Sequence, residues 1–341
     1  MYQSHFRNKS VLKDADFSRQ ELSYLIDFAL HLKTLNKHHR LHHCLENKSI
    51  ALVFEQPSVR TRIAFTSAVQ QLGGSFQYFS AADLPLGQKE SLKDTAQIFS
   101  HMFDGLVFRG QSQDDVENLA KFASIPVWNG LTDIWHPTQM ISDMMTIKAH
   151  FGQLAGLTLT FVGNGYNNMT NSLLVSATNL GINVQLLAPK DHFPSAAVQQ
   201  QIQQNAQQQG AKVLLTDKKE ELQPADVVYT DVWPIADRRQ WSEKIAKFEP
   251  FRLDDHLFQA IAKSEAIFMH CMPADHDAHN QKGRQFYQEE SLQGIEVANS
   301  VFNGEQAVPF EQAENKIYGC QALLAAILGD LFIPDSVIDH Y

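Results

Sequence analysis

The chain has 341 residues, 44% of them apolar and 19% charged, enough for two domains of ordinary size with substantial cores. Its formal net charge of −10 argues against nonspecific nucleic-acid binding, which needs a basic face, and no apolar run approaches the ~20 residues of a membrane span. Three cysteines (Cys44, Cys271 and Cys320) and the lack of a signal-peptide pattern argue against a disulfide framework and point to a reducing cytoplasm.

In chain order, the first clear element starts at a capping box, Ser18-Arg19-Gln20-Glu21, followed by Leu22, Leu25, Ile26, Ala29, Leu32 and Leu35 at helical spacing. His38, His39, His42 and His43 come next; with Lys37 and Arg40 among them they read as an exposed basic loop and not as a metal site. Strands are expected at 49–54, 75–79, 104–108 and 125–128, alternating with helices at 62–72, 91–103, 114–122 and 138–150. A second series has strands Leu157–Val162, Ile182–Ala188, Lys212–Leu215, Asp226–Thr230 and Ala266–His270, with helices near 167–180 and 195–208. The glutamine run 199–209 fits a solvated helix face. An apolar helix at about 316–330 closes the pattern. Such alternation predicts an α/β fold of two doubly wound domains, each a central parallel sheet flanked by helices, divided near residue 150.

The chemistry gathers after the strands, where such folds place ligands. Pro57-Ser58-Val59-Arg60-Thr61-Arg62 lies between an apolar strand and an amphipathic helix. A helix N-terminus carrying Ser58, Thr61 and an arginine fork at Arg60 suits a phosphate. Arg109, His136-Pro137-Thr138-Gln139, Asn167-Asn168, Asp231-Val232-Trp233 and His270-Cys271-Met272-Pro273 each follow a strand as well. Singly they have structural explanations: a surface arginine, a helix-capping histidine, an Asn168 cap, a turn aspartate, a small buried cysteine. Five together are hard to assign to chance. Gly163-Asn164-Gly165 is half a dinucleotide fingerprint, but a third glycine and an acid after the next strand are missing.

In this order, Ser-x-Arg-Thr-Arg, a strand-end Arg, His-Pro-Thr-Gln, Asn-Asn-x-x-Asn-Ser, Asp-Val-Trp and His-Cys-x-Pro resemble the ornithine carbamoyltransferases over nearly the full length. Gly87-Gln88-Lys89-Glu90-Ser91 and Pro126–Thr132 look like the bacterial branch, and Leu331-Phe332-Ile333-Pro334 like its catabolic members. The resemblance implies a carbamoyl-phosphate domain (1–150 plus the C-terminal helix 316–341, which returns to it), an amino-acid domain (151–315), no cofactor or metal, and a homotrimer or a multiple of one. It places carbamoyl phosphate on Ser58, Val59, Arg60, Thr61, Pro85, Arg109, His136, Pro137, Thr138, Gln139, Cys271, Met272 and Lys316. It places ornithine on Asn168, Asp231, Ile235 and Ala236, and it assigns the catalytic roles to Arg60, Arg109, His136, Asp231 and Cys271.

Four positions depart from the pattern. Pro234-Ile235-Ala236-Asp237 stands where x-Ser-Met-Gly is expected, which removes a hydroxyl and a backbone donor. Lys316 replaces the arginine of Ala-Glu-Asn-Arg, keeping charge but losing the planar fork. Pro85 replaces a polar side chain, and Asn164 an aspartate. The alternatives to ornithine transfer are therefore a carbamoyltransferase for another amine and an impaired relative that still binds carbamoyl phosphate.

Overall fold

A computed structural model describes residues 3–40, 42–84, 90–234, 239, 241–290 and 294–333. Pro85, Ile235, Ala236 and Asp237 lie outside the described residues, as does the segment from Pro334 onward. The chain divides into two compact units, Met1–Gly152 with Glu314–Tyr341, and Gln153–Ala313.

In the first unit, β1 (Ser49–Phe54), β2 (Ser75–Ser80), β3 (Gly105–Arg109) and β4 (Val127–Leu131) form a parallel sheet in the order β2-β1-β3-β4. The central strand β1 is an unbroken apolar run, buried from Ile50 to Phe54 as a strand covered on both faces must be. Edge strand β2 instead mixes exposed Ser75 and Gln77 with half-buried residues and buries none fully. Gly105 is needed where it stands: a Cβ there would lie 2.4 Å from Cζ3 of the fully buried Trp128. Helices Val59–Gln71, Leu92–Met102, Gln113–Phe122 and Pro137–Phe151 follow the four strands. The first begins at residue 59 and not 62, because Ser58 caps it by accepting from Thr61 N at 3.3 Å.

The capping box at Ser18 and Glu21 is formed as the sequence predicts, opening the helix Arg19–Lys37. Past its end His38, His39, His42 and His43 are exposed, and among the described residues no three His, Cys, Asp or Glu side chains are grouped to hold a metal. The last helix runs Pro309–Ile327, starting earlier than its apolar stretch suggests and ending before the expected 330, with residues 328–333 outside it. Proline suits a first helical turn, where its missing N–H is not used, and Gln312 N donates to Val308 O. Within the first unit Asn315 of this helix donates to Thr146 Oγ1 at 2.8 Å and accepts from Lys33 Nζ at 2.7 Å.

In the second unit, β5 (Thr158–Val162), β6 (Asn183–Leu187), β7 (Val213–Thr216), β8 (Ala225–Thr230) and β9 (Ala262–His270) are parallel, in the order β7-β6-β5-β8-β9. Helix Asn168–Asn179 packs beside helix Ala196–Gln209, whose Val198, Ile202 and Ala206 face inward while much of its glutamine run meets solvent. In each sheet the winding reverses once, between β1 and β3 and between β5 and β8. The crevices beyond the carboxyl ends of those strands are where open α/β sheets hold ligands.

Candidate active site

In the first unit, four side chains from distant points of the chain meet at this reversal. Arg109, at the end of β3, directs Nη1 at Thr61 Oγ1 (3.3 Å) and at Gly130 O (3.2 Å). Lys316 Nζ lies 3.2 Å from the same Thr61 Oγ1 and 3.3 Å from His136 Nε2. Thr61, His136 and Lys316 are all buried. A lysine ammonium only donates, so Nε2 of His136 accepts and the imidazole proton belongs on Nδ1. Burial first, then the charges of Lys316 and Arg109, hold the His136 pKa well below its ordinary 6.5, so the ring is neutral at physiological pH. Thr61 Oγ1 receives two donors, which occupies its lone pairs and leaves its own proton to give.

Ser58, Val59 and Arg60 stand at the start of helix Val59–Gln71, whose first turn holds no acidic residue. Arg60 is exposed, Ser58 is half-buried, and Arg62 lies over the Tyr78 ring at 3.7 Å. Two arginines in the first turn oppose the helix dipole, a cost that a bound anion would offset. Two cations, a hydroxyl proton and free helix N–H groups therefore sit at one strand-end crevice, an arrangement fit for a phosphate. Pro137, Thr138 and Gln139 form the first turn of helix Pro137–Phe151 behind His136 and are buried; Gln139 N donates to His136 O.

In the second unit the candidate residues also end strands. Asn168 opens its helix after β5, but the cap is Asn167, which accepts from Thr170 N at 2.7 Å. Capping therefore does not account for Asn168. Asn164 shapes the loop before it, its side chain bonding both N and O of Tyr166 and its carbonyl accepting from Thr170 Oγ1. Asp231, after β8, is buried. Cys271, after β9, is half-buried, and Met272 packs partly buried against the apolar cluster around Phe268 and Phe302.

Behind Cys271 lies a buried pair that sequence reading did not single out. His270 and Glu296 are fully buried; His270 Nε2 is 3.2 Å from Glu296 Oε1, and His270 Nδ1 is 2.8 Å from the Cys271 carbonyl. Both ring nitrogens face acceptors, which requires an imidazolium. Burial, the largest influence, opposes that charge, but the hydrogen bond and charge of Glu296 with the charge of Asp231 prevail, and the His270 pKa is raised. Burial likewise opposes the Glu296 carboxylate, yet His270 and the Asp275 N–H (2.6 Å) hold its pKa down. Gln312 accepts from His270 N and donates to the Tyr229 hydroxyl. The one available signal for Glu296 is a lone acid inside the apolar run Gly294-Ile295-Glu296-Val297-Ala298.

Residues 9–149 match the carbamoyl-phosphate-binding domain of the aspartate/ornithine carbamoyltransferases, and residues 155–327 match the Asp/Orn-binding domain of the same family. The chain is 47% identical over 332 residues to an ornithine carbamoyltransferase of Levilactobacillus brevis, covering 96% of this chain and 97% of that one. It is 46% identical over 331 residues to a catabolic ornithine carbamoyltransferase of Streptococcus ratti, covering 96% and 98%. Among solved structures, the ornithine carbamoyltransferase of Pyrococcus furiosus superposes with a TM-score of 0.88 at 33% identity, over 96% of this chain and 99% of that one. The chain belongs to the aspartate/ornithine carbamoyltransferase family, on its ornithine carbamoyltransferase branch.

Proposed function

We propose that the protein transfers the carbamoyl group of carbamoyl phosphate to the side-chain amine of L-ornithine, giving L-citrulline and phosphate. The observation that carries this reading is the meeting of Arg109, Lys316, the Thr61 hydroxyl and a neutral His136 beside a helix start. The neutral amine attacks the carbamoyl carbon, a C–N bond forms, the bond to the phosphate oxygen breaks, and the new ammonium loses its proton. Negative charge grows on the carbonyl oxygen and on the departing phosphate, where Arg60, Arg109, Lys316, Thr61 and the helix N–H groups supply fixed positive potential. His136, uncharged, can donate to the carbonyl oxygen only from Nδ1, the ring nitrogen that carries its proton. Ser58 and Val59 belong to the same anion site through the helix start. Asn168 and Asp231 hold the α-carboxylate and α-amine of the acceptor, and Cys271 lies near the reacting amine. Catalysis of this kind rests on positioning and electrostatics, without a covalent intermediate.

Steady-state citrulline formation by the purified protein tests the reading. Turnover of ~1–10³ per second with ornithine supports it; none, with carbamoyl phosphate still bound, refutes it and favours the impaired relative. Pro234-Ile235-Ala236-Asp237 favours a second reading, transfer to another α-amino acid, and a panel of ornithine, lysine, acetylornithine, putrescine and shorter diamino acids separates the two. The rate rises with pH toward the free alkylamine pKa of about 10, as perturbed by the site. A homotrimer, or a multiple of one, in the cytoplasm belongs to this reading, and sedimentation equilibrium checks the assembly. No described helix is long and apolar enough to cross a membrane.

A further inference from the structure

One buried contact near the anion site is not used by the chemistry above. Gln139, 4% exposed, directs its side-chain Nε2 at Oδ1 of Asp143, 2.8 Å away and fully buried. The two lie four residues apart on helix Pro137–Phe151, so they share a face and the contact is built into one rigid element. A primary amide has one end that only donates and one that only accepts, and the two ends are nearly equal in size. Packing alone therefore leaves the amide free to sit either way round. Oδ1 of Asp143 accepts from the amide nitrogen, and that contact turns the amide oxygen away. Reversing the amide would set Oε1 against Oδ1 in a dry interior, where two acceptors facing each other are costly. The helix is further pinned within itself, with Ser142 Oγ donating to Gln139 O at 2.6 Å and Thr146 Oγ1 to Ser142 O at 2.7 Å.

We infer that Asp143 is a positioning residue that fixes the polarity of the Gln139 amide, so that its acceptor end selects the NH2 of the carbamoyl group against an isosteric methyl. The inference rests on the carbamoyl-phosphate reading of the first unit. Phosphate alone does not distinguish carbamoyl phosphate from acetyl phosphate, since the two differ only in NH2 against CH3. A buried acceptor of fixed orientation does distinguish them, because the methyl leaves that acceptor without its hydrogen bond. Asp143 touches no substrate in this scheme and acts through Gln139.

The test is direct binding of two stable probes, phosphonoacetamide and acetonylphosphonate, measured by calorimetry on the full-length protein. They share the phosphonate and the carbonyl and differ in the terminal NH2 or CH3. The wild type is expected to favour the amide by about tenfold or more. In Asp143→Asn the new side chain can donate, the Gln139 amide is free to turn, and the preference falls toward one while acetonylphosphonate binds as before. A merely structural role would weaken both probes alike. Asp143→Ala, which removes the director without offering a donor, gives an intermediate preference and serves if the asparagine variant fails to fold. Asp143→Glu, reaching Gln139 with the same acceptor, restores part of the preference. Equal binding of both probes by the wild type, or an unchanged ratio in Asp143→Asn and Asp143→Ala, overturns the inference while leaving the carbamoyl-phosphate reading in place. Binding of neither probe by the wild type overturns that reading and this inference with it.

Discussion

Removing the Lys316 ammonium while keeping the length of its stem, as Lys316→Met does, tests the anion site at the point where this chain departs from the arginine pattern. Lys316 is 6% exposed, and its Nζ reaches Thr61 Oγ1 and His136 Nε2 at 3.2 and 3.3 Å. A phosphate seated at the start of helix Val59–Gln71 and bonded to the Thr61 hydroxyl comes within a few ångströms of that ammonium. At an effective dielectric of about 20, opposite unit charges ~4 Å apart attract by about 4 kcal/mol, before the cost of desolvating the phosphate. A charge-assisted hydrogen bond retains a net of about 1.5–3 kcal/mol. At about 1.4 kcal/mol per decade this is a rise of about 10- to 150-fold in the KM for carbamoyl phosphate. The KM for ornithine shifts much less. The assay is citrulline formation with carbamoyl phosphate varied at saturating ornithine. A second readout comes from His136: with one of the two cations that depress it gone, its pKa moves up toward 6.5, and NMR of the imidazole follows that shift. Lys316→Arg should act in the opposite sense on KM, since a guanidinium can give a phosphate two parallel bonds. A KM for carbamoyl phosphate within twofold of wild type in Lys316→Met would refute the placement of the anion beside Lys316.

Other positions give separate expectations. Arg109→Lys gives up a planar fork whose Nη1 already serves Thr61 Oγ1 and Gly130 O, so kcat/KM is expected to fall by about 10²–10³, as for loss of one preorganised donor; a loss under threefold would remove Arg109 from the charge-stabilising set. Cys271→Ala should lower kcat by about tenfold, the size of one lost contact of ~1–1.5 kcal/mol, and full activity would take the thiol out of the reaction. Glu296→Gln leaves the buried His270 imidazolium without its counter-charge, and a cost of about 3–5 kcal/mol is expected in thermal or urea unfolding. The pH sign follows from both partners. The raised His270 pKa gives stability that is complete below the unfolded value of 6.5 and is lost as pH rises through the folded value. The lowered Glu296 pKa gives stability that is complete above 4.5 and is lost as pH falls through its folded value. The gap in melting temperature between wild type and Glu296→Gln should therefore be widest between pH 4.5 and 6.5 and narrow on the alkaline side; a gap independent of pH would mean the pair is not ionic.

The difference between what the sequence disclosed and what it hid has a physical cause that residues 136–143 illustrate. His136-Pro137-Thr138-Gln139 was legible because it combines a strand end, a helix start and polar side chains that the core does not need. The alternation of strands with helices was legible for a similar reason: period and burial are local properties, and parallel strands buried on both faces write themselves as apolar runs such as Ser49–Phe54. Element ends were displaced where one hydrogen bond decides them, as at the Ser58 cap, or where proline starts a helix ahead of its apolar face, as at Pro309. Asp143 and Glu296 went unnoticed because their work is to face another buried side chain, and a lone acid inside an apolar stretch looks the same in sequence whether it has a partner or not. Of the two, Asp143 also has its partner within local reach, at i,i+4 from Gln139; the partner of Glu296 is 26 positions away. Catalytic groups that meet substrate must sit at strand ends and helix starts, where backbone donors converge, so a motif search finds them. Asp143 and Glu296 have no such constraint, since each needs only burial and one well-aimed hydrogen bond. Their roles become readable once the fold has placed each beside its partner, and their substitutions should alter selectivity or pH response more than the capacity to bind phosphate.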